Sequence, residues 1–310
     1  MTKAIFIFIA SILLVYPVVS GIGEISLSNQ LFICLPFILF LGLPHGAIDN
    51  VLFVKDNPIN NSEFIALYLV SIVLYIVLWL IFPISAYMLF LILSAYHFGQ
   101  SQFTHYFDQQ RFFQQLLFAA WGISILTGFM YFKAAEIELL MIQSSEFSFF
   151  RSVHQEDLMF GLFVGSTIIT IMLLLILGLR KKMKWEAFFM EHLVLLLILT
   201  CFYLMPLLIG FTLYFVVLHS FKVLREEYDY LHAEMNVNSL SGFVRIVAPF
   251  SLFAIFGIIL LFALIYFKVL AFSYGYCLLI IISSITLPHV FVMNKFYDLL
   301  FTRNFFKTVV

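Results

Sequence analysis

Apolar residues fill long blocks of this chain, and polar residues gather in the gaps between them. A block of about 20 apolar residues is long enough to cross a bilayer as a helix. Ten such blocks can be drawn, over residues 4–20, 31–49, 64–82, 84–99, 112–132, 158–179, 187–204, 207–225, 244–267 and 269–293. The pattern predicts an all-α, polytopic membrane helix bundle of about ten transmembrane helices. Several gaps are very short, and Pro83 and Pro206 punctuate two of them, as where one helix turns straight into the next. The two longest gaps, 131–157 and 226–242, carry acidic residues and are expected to be solvated surface segments with room for short helices. No internal repeat or low-complexity tract marks a boundary, so residues 1–310 read as a single integral-membrane domain.

Composition sharpens this reading. The chain is 64% apolar and 11% charged, with a mean hydropathy of +1.09. No soluble domain can hide that much apolar surface. A formal net charge of -1 leaves no polybasic surface, which argues against nucleic acid as a partner. Cys34, Cys201 and Cys277 all lie in apolar runs, none in a C-x-x-C pair, and read as packing residues.

Lys and Arg test the topology. With ten spans, 13 of the 16 fall on the side of the N-terminus; only Lys133, Arg151 and Lys268 fall on the other. Positive charge favours the cytoplasmic side, so both termini are expected to be cytoplasmic in a multi-pass protein of the cell inner (plasma) membrane. Lys3 followed by an apolar run resembles a signal peptide with a passable cleavage site at 18–20. An uncleaved first span is the expectation, because the charge count works best with it.

Four histidines then stand out. His45 lies in GLPHGAIDN, with Asp49 four residues on; His97 lies in SAYHFGQSQ, His219 in FVVLHSFK and His289 in TLPHVFVMN. Each comes toward the end of a block running from outside to inside, so all four are expected at similar depth near the cytoplasmic face. Ionisable groups inside a membrane are expensive and are functional candidates. Neutral imidazoles converging at one depth suit Fe, Zn, Cu or Ni. A single intramembrane histidine is more often a hydrogen-bonding group between helices; four at matched depth, two of them after proline, favour a metal site. The H-x-x-x-H and H-x-x-H-H clusters of di-iron membrane enzymes are absent, which favours one ion. His192, beside Glu191, is a further candidate as ligand or as partner of a ligand. His105, His154 and His232 fall in gaps and are expected to be solvated.

The motifs GLPHGAID, YHFG, the F-x-x-x-H-S of 215–220 and the late LPH of 287–289 resemble the Brp/Blh family of membrane β-carotene 15,15'-dioxygenases. The resemblance runs from the second block to the last. It implies an all-helical iron enzyme that splits the central double bond of β-carotene, or of a related carotenoid, with O2 to give retinal. The implied ligands of Fe(2+) are His45, His97, His219 and His289. Two positions depart from the family. Val223 stands where a second histidine usually follows HS, which leaves His289 or His192 to complete the set. Gln100 and Gln102 stand where an acidic residue tends to follow HFG.

Histidine ligands are usually oriented by a carboxylate on the other ring nitrogen. Asp49 is the leading candidate; its alternative reading is a residue at a helix C-terminus or at the interface. Glu226 and Glu227 share a face with His219 if that helix continues, and Glu191 is a weaker candidate. Tyr96, beside His97, and some of the 40 Phe and 15 Tyr are expected to line a long apolar slot reachable from the bilayer. Two other functions compete: a metal or proton transporter using intramembrane His and Asp, and a non-catalytic carotenoid- or retinal-binding membrane protein.

Overall fold

A computed structural model of the chain describes residues 2–55, 57–107 and 112–302. Arg111, Arg303 and Lys307, counted above for the charge asymmetry, lie outside the described residues. The protein is an all-α polytopic membrane bundle, and no strand occurs among the described residues. Helix is what lipid demands, because every backbone donor and acceptor must be satisfied within the segment.

The helices are α1 (Thr2–Ile22), α2 (Leu27–Phe37), α3 (Asp49–Val54), α4 (Asn61–Ile81), α5 (Pro83–Phe103), α6 (Phe112–Phe132) and α7 (Ala134–Gln143). There follow α8 (Glu156–Leu179), α9 (Trp185–Leu204), α10 (Leu207–Leu213), α11 (Phe221–Met235), α12 (Leu240–Tyr266) and α13 (Tyr274–Thr302). Their starts are written in the sequence. Asn60 and Glu63 form a reciprocal capping box at the head of α4, with bonds of 3.0 and 2.9 Å. Pro83 opens α5, where its missing N–H costs nothing.

Four expectations need refinement. First, nine described segments pass for membrane spans by length and apolar composition, and the tenth block is less apolar than the rest. The block at 84–99 is indeed a helix, α5, but its second half carries Ser94, His97, Gln100, Ser101 and Gln102, all buried. Second, the block at 31–49 is not one helix. It breaks after α2 into a π-helical turn, Ile38–Gly42, and a 3₁₀ turn, Leu43–Gly46, before α3 begins. Pro44 forces this, since it cannot donate to the helical ladder. Third, the last block is displaced: α13 starts at Tyr274 and runs to Thr302.

Fourth, the two long gaps hold short helices, as expected, but they are partly buried rather than solvated throughout. α11 carries the chain to Met235, and Glu227 on it is fully buried. The other gap holds α7 and a 3₁₀ helix, Ser145–Ser152. Glu136 of α7 accepts from the Leu207 N–H at 2.9 Å, and Gln30 accepts from the Leu208 N–H at 2.9 Å. Those two N–H groups at the head of α10 have no helical partners, so distant side chains complete them.

Helix α6 packs along α5 on one side and α8 on the other. The α5–α6 contact is set by two glycines. A Cβ on Gly99 would overlap the Phe118 backbone, and a Cβ on Gly122 would overlap the Ala95 backbone. Small residues let membrane helices approach this closely. α13 lies against α3, α4 and α5, while α1 packs against the π-helical segment Tyr214–Ser220 that follows α10. Phe8 of α1 is fully buried there. The bundle thereby brings α3, α5, α13 and the two π-helical segments around one point.

Candidate metal centre

His45, His97, His219 and His289 meet at that point, and all four are buried. They come from four elements: the 3₁₀ turn before α3, the polar half of α5, the π-helical segment after α10, and α13 one residue past Pro288. The rings form a closed circuit. Centroid separations are 4.9 Å for His45 and His289, 5.1 Å for His289 and His97, 5.0 Å for His97 and His219, and 5.2 Å for His219 and His45. Each neighbouring pair is edge-on, with interplanar angles of 77° to 87°. One nitrogen each from His45, His97 and His289 lies within 4.8 Å of the others.

Hydrogen bonds fix the tautomers of three rings. His45 Nδ1 donates to the Gly42 carbonyl. His289 Nδ1 donates to Asp49, 3.0 and 3.1 Å from its two oxygens. Ser101 Oγ donates to the Phe98 carbonyl at 3.0 Å and therefore accepts from His219 Nδ1 at 3.1 Å. In each ring the proton is on Nδ1, so Nε2 carries a free lone pair. The Nε2 atoms of His97, His219 and His289 are buried with no hydrogen-bond partner among the described residues. Buried polar atoms left unpaired in this way ask for an explanation. A cation at the centre of the circuit supplies one, since neutral imidazole is the commonest metal ligand.

The local sequence explains itself around these rings. A Cβ on Gly46 would lie 3.3 Å from His289 Nδ1, so glycine lets that imidazole close over the turn. A Cβ on Gly42 would lie 2.6 Å from Phe215. Phe215 in turn stacks on His219, centroids 5.7 Å apart, and meets His45 edge-on at 5.6 Å. GLPHG and F-x-x-x-H therefore interlock. The glycine of YHFG serves the α5–α6 contact instead.

The sequence model of the family described as Beta-carotene 15,15'-dioxygenase matches residues 37–297. The chain belongs to that family. The matched stretch opens just before the π-helical turn and closes on Tyr297 of α13, so all four histidines and Asp49 fall within it. Comparison with curated proteins and with solved structures found no match. Family membership implies a dioxygenase enzyme, and the rest of the site suits a long apolar molecule. A cavity of about 590 Å³ reaches all four histidines. From there it runs along one stripe of α5, past Ser94, Leu91, Phe90 and Tyr87, toward Phe147 and Phe272. Phe32 of α2 also borders it and is largely exposed on the outer surface of the bundle, where lipid would lie.

The supporting residues fall out unevenly. Asp49 is buried in the first turn of α3, not at a helix C-terminus; that end of the helix dipole favours a carboxylate. Tyr68 donates to it at 2.9 Å, a contact with no signal in the sequence. Tyr96 does not line the cavity: one residue from His97 is about 100° around a helix, and its ring faces Phe118 at 6.0 Å. Glu226 accepts from Tyr297 at 3.0 Å rather than from any histidine. Its neighbour Glu227 has no hydrogen-bond partner among the described residues and lies within electrostatic reach of Asp49. Glu191 holds Gln102 at 2.6 Å and Tyr106 at 2.7 Å.

Among the remaining histidines, His192 faces Phe188 and its own helix, where its Nδ1 meets the Phe188 carbonyl at 2.7 Å. Val223 is fully buried in the hydrophobic core. His232 is exposed, as expected, but His105 and His154 are partly buried. The stripe on α5 was the legible signal missed: Tyr87, Phe90, Leu91 and Ser94 follow the helical spacing back from His97.

Proposed function

We propose that the chain is an iron-dependent dioxygenase of the cell inner membrane, with both termini cytoplasmic, that cleaves β-carotene or a related carotenoid at its central double bond to give retinal. One observation carries this: four buried imidazoles, three with lone pairs freed by fixed tautomers, line an apolar cavity. His45, His219 and His289 would hold the ion through Nε2, and His97 through one of its two ring nitrogens. Fe(2+) bound there would supply the redox chemistry that lets O2 react with a hydrocarbon double bond. One O2 and one double bond give two carbonyl groups, so the atoms balance without a further reductant.

The chain's own residues do the rest. Asp49, the Gly42 carbonyl and Ser101 keep three imidazoles in the tautomer and orientation that a metal needs. Phe90, Phe98 and Phe215 line the cavity near or beside the rings and exclude water. The polyene needs no polar anchor at the reacting bond, only a slot that aligns it with the ion.

The test is expression in a carotene-accumulating bacterial host, followed by metal analysis of the purified protein. The pigment should bleach, retinal should appear, and iron should be retained in stoichiometric amount. Intact pigment co-purifying under air with no retinal formed would overturn the activity.

A further inference from the structure

The cavity carries polar groups at its far end as well, and the chemistry proposed at the histidines does not use them. Tyr87 lies ten residues before His97 on α5, which sets it about 15 Å along the helix axis. Its hydroxyl is 2.7 Å from His154 Nε2, and both side chains line the cavity. Ser144 and Ser273 border the same end. Between the two ends the walls are mainly Phe, Leu and Ile.

Burial lowers the His154 pKa to about 4, so its imidazole is neutral near pH 7 and has one donor and one acceptor. Its Nδ1 is buried with no partner among the described residues. If the phenol donates to Nε2, the imidazole keeps an unused N–H and the phenol oxygen keeps a free lone pair. If the imidazole donates instead, the phenol keeps its O–H and Nδ1 its lone pair. Either way the phenol oxygen and the imidazole Nδ1, at opposite ends of this hydrogen-bonded pair, each keep a free hydrogen-bonding position, and a hydroxyl group can pair with one of them.

The reach fits. An extended polyene advances roughly 1.2 Å per bond from ordinary bond lengths and angles, so a hydroxyl on the far carbon of an end ring stands roughly 15 Å from the central double bond. We propose that Tyr87 and His154 form a hydroxyl-binding subsite, and that the preferred substrate is a carotenoid with a hydroxylated end ring. The placement of the central bond rests on the dioxygenase reading above; the subsite itself does not.

The full-length protein is compared with β-carotene and with its 3,3'-dihydroxy derivative. Binding is read by the change in carotenoid absorption without O2, and cleavage by chromatography under air. The dihydroxy compound should bind about tenfold more tightly, the ordinary worth of one added buried hydrogen bond. That ratio should fall toward one in Tyr87→Phe and in His154→Asn, the second lying in a connecting turn and serving if the first does not fold. Equal binding of the two carotenoids by the native protein, or a ratio that survives in a folded variant, overturns the subsite. Cleavage of both with equal affinity removes the subsite and leaves the dioxygenase. A Tyr87-dependent preference in binding with no cleavage of either removes the dioxygenase and leaves the subsite.

Discussion

Asp49 and His289, 240 residues apart in sequence, meet through Nδ1 at 3.0 and 3.1 Å from the two carboxylate oxygens. The carboxylate fixes the ring with Nε2 toward the other three imidazoles, and Tyr68 fixes the carboxylate. Losing the partner of a ligating histidine typically costs about 10–100-fold in metal affinity. Asp49→Asn should therefore fold but lose metal at chelator concentrations that the native protein survives. Metal content after graded dialysis checks this; unchanged retention would make Asp49 a packing residue only.

Gly99 and Gly122 make a separate prediction about stability. At each, an added methyl group meets the backbone of the facing helix, not the end of a flexible side chain. Backbone can give only by moving the helix. Overpacking of this kind costs about 1–3 kcal/mol or more. Gly99→Ala and Gly122→Ala should lower the melting temperature in detergent and reduce yield, and Gly161→Ala, where nothing stands within 4 Å, should do neither. Equal melting temperatures for all three would mean that α5 and α6 are looser than drawn.

The blocks of apolar sequence told of the bundle, and the four histidines told of its centre, for the same reason. In lipid, length and polarity are enough to reveal a span, and an imidazole inside one has no bland surface to sit on. What stayed hidden depended on tertiary contacts. Asp49 was legible as a carboxylate near His45, yet its bond is to His289, which no local spacing could reveal. Glu226 and Glu227 share a helical face only loosely, and the rotation of α11 decides that Glu226 accepts from Tyr297 while Glu227 meets no donor among the described residues. Tyr96 is next to His97 in sequence, but the helical period puts the residues three and four away on the face of His97. The polar half of α5 resembled a weak span and proved to be the wall of the site.

The four histidines are not equivalent. One nitrogen each from His45, His97 and His289 lies within 4.8 Å of the others, a group that does not include His219, which completes the circuit of rings. Replacing any of the first three with Ala should abolish both bound iron and product. His219→Ala should retain the most metal of the four, with activity reduced. His192→Ala should change neither, because that ring is turned to Phe188. Metal-to-protein ratios across the five variants give the ranking, and full iron content in His45→Ala, His97→Ala or His289→Ala would strike that residue from the ligand set.

Lys222 closes the end of α5 from another helix. Its ammonium donates to the Ser101 carbonyl and, at 2.9 Å, to the Gln102 carbonyl, with Glu226 3.9 Å away. Carbonyls in the last turn of a helix have no partner within it, and a cation there is favoured by the helix dipole. Ser101 is also the residue that holds His219. Lys222→Met keeps the length and apolar stem of the side chain and removes the donors. Leaving buried acceptors unpaired costs about 1–3 kcal/mol. The expected result is a lower melting temperature together with looser metal binding, because the Ser101 support of His219 relaxes with the helix end. Thermal melting and metal retention are measured on the same preparation. Loss of stability with native metal retention would show that the α5 terminus and the histidine circuit are mechanically independent.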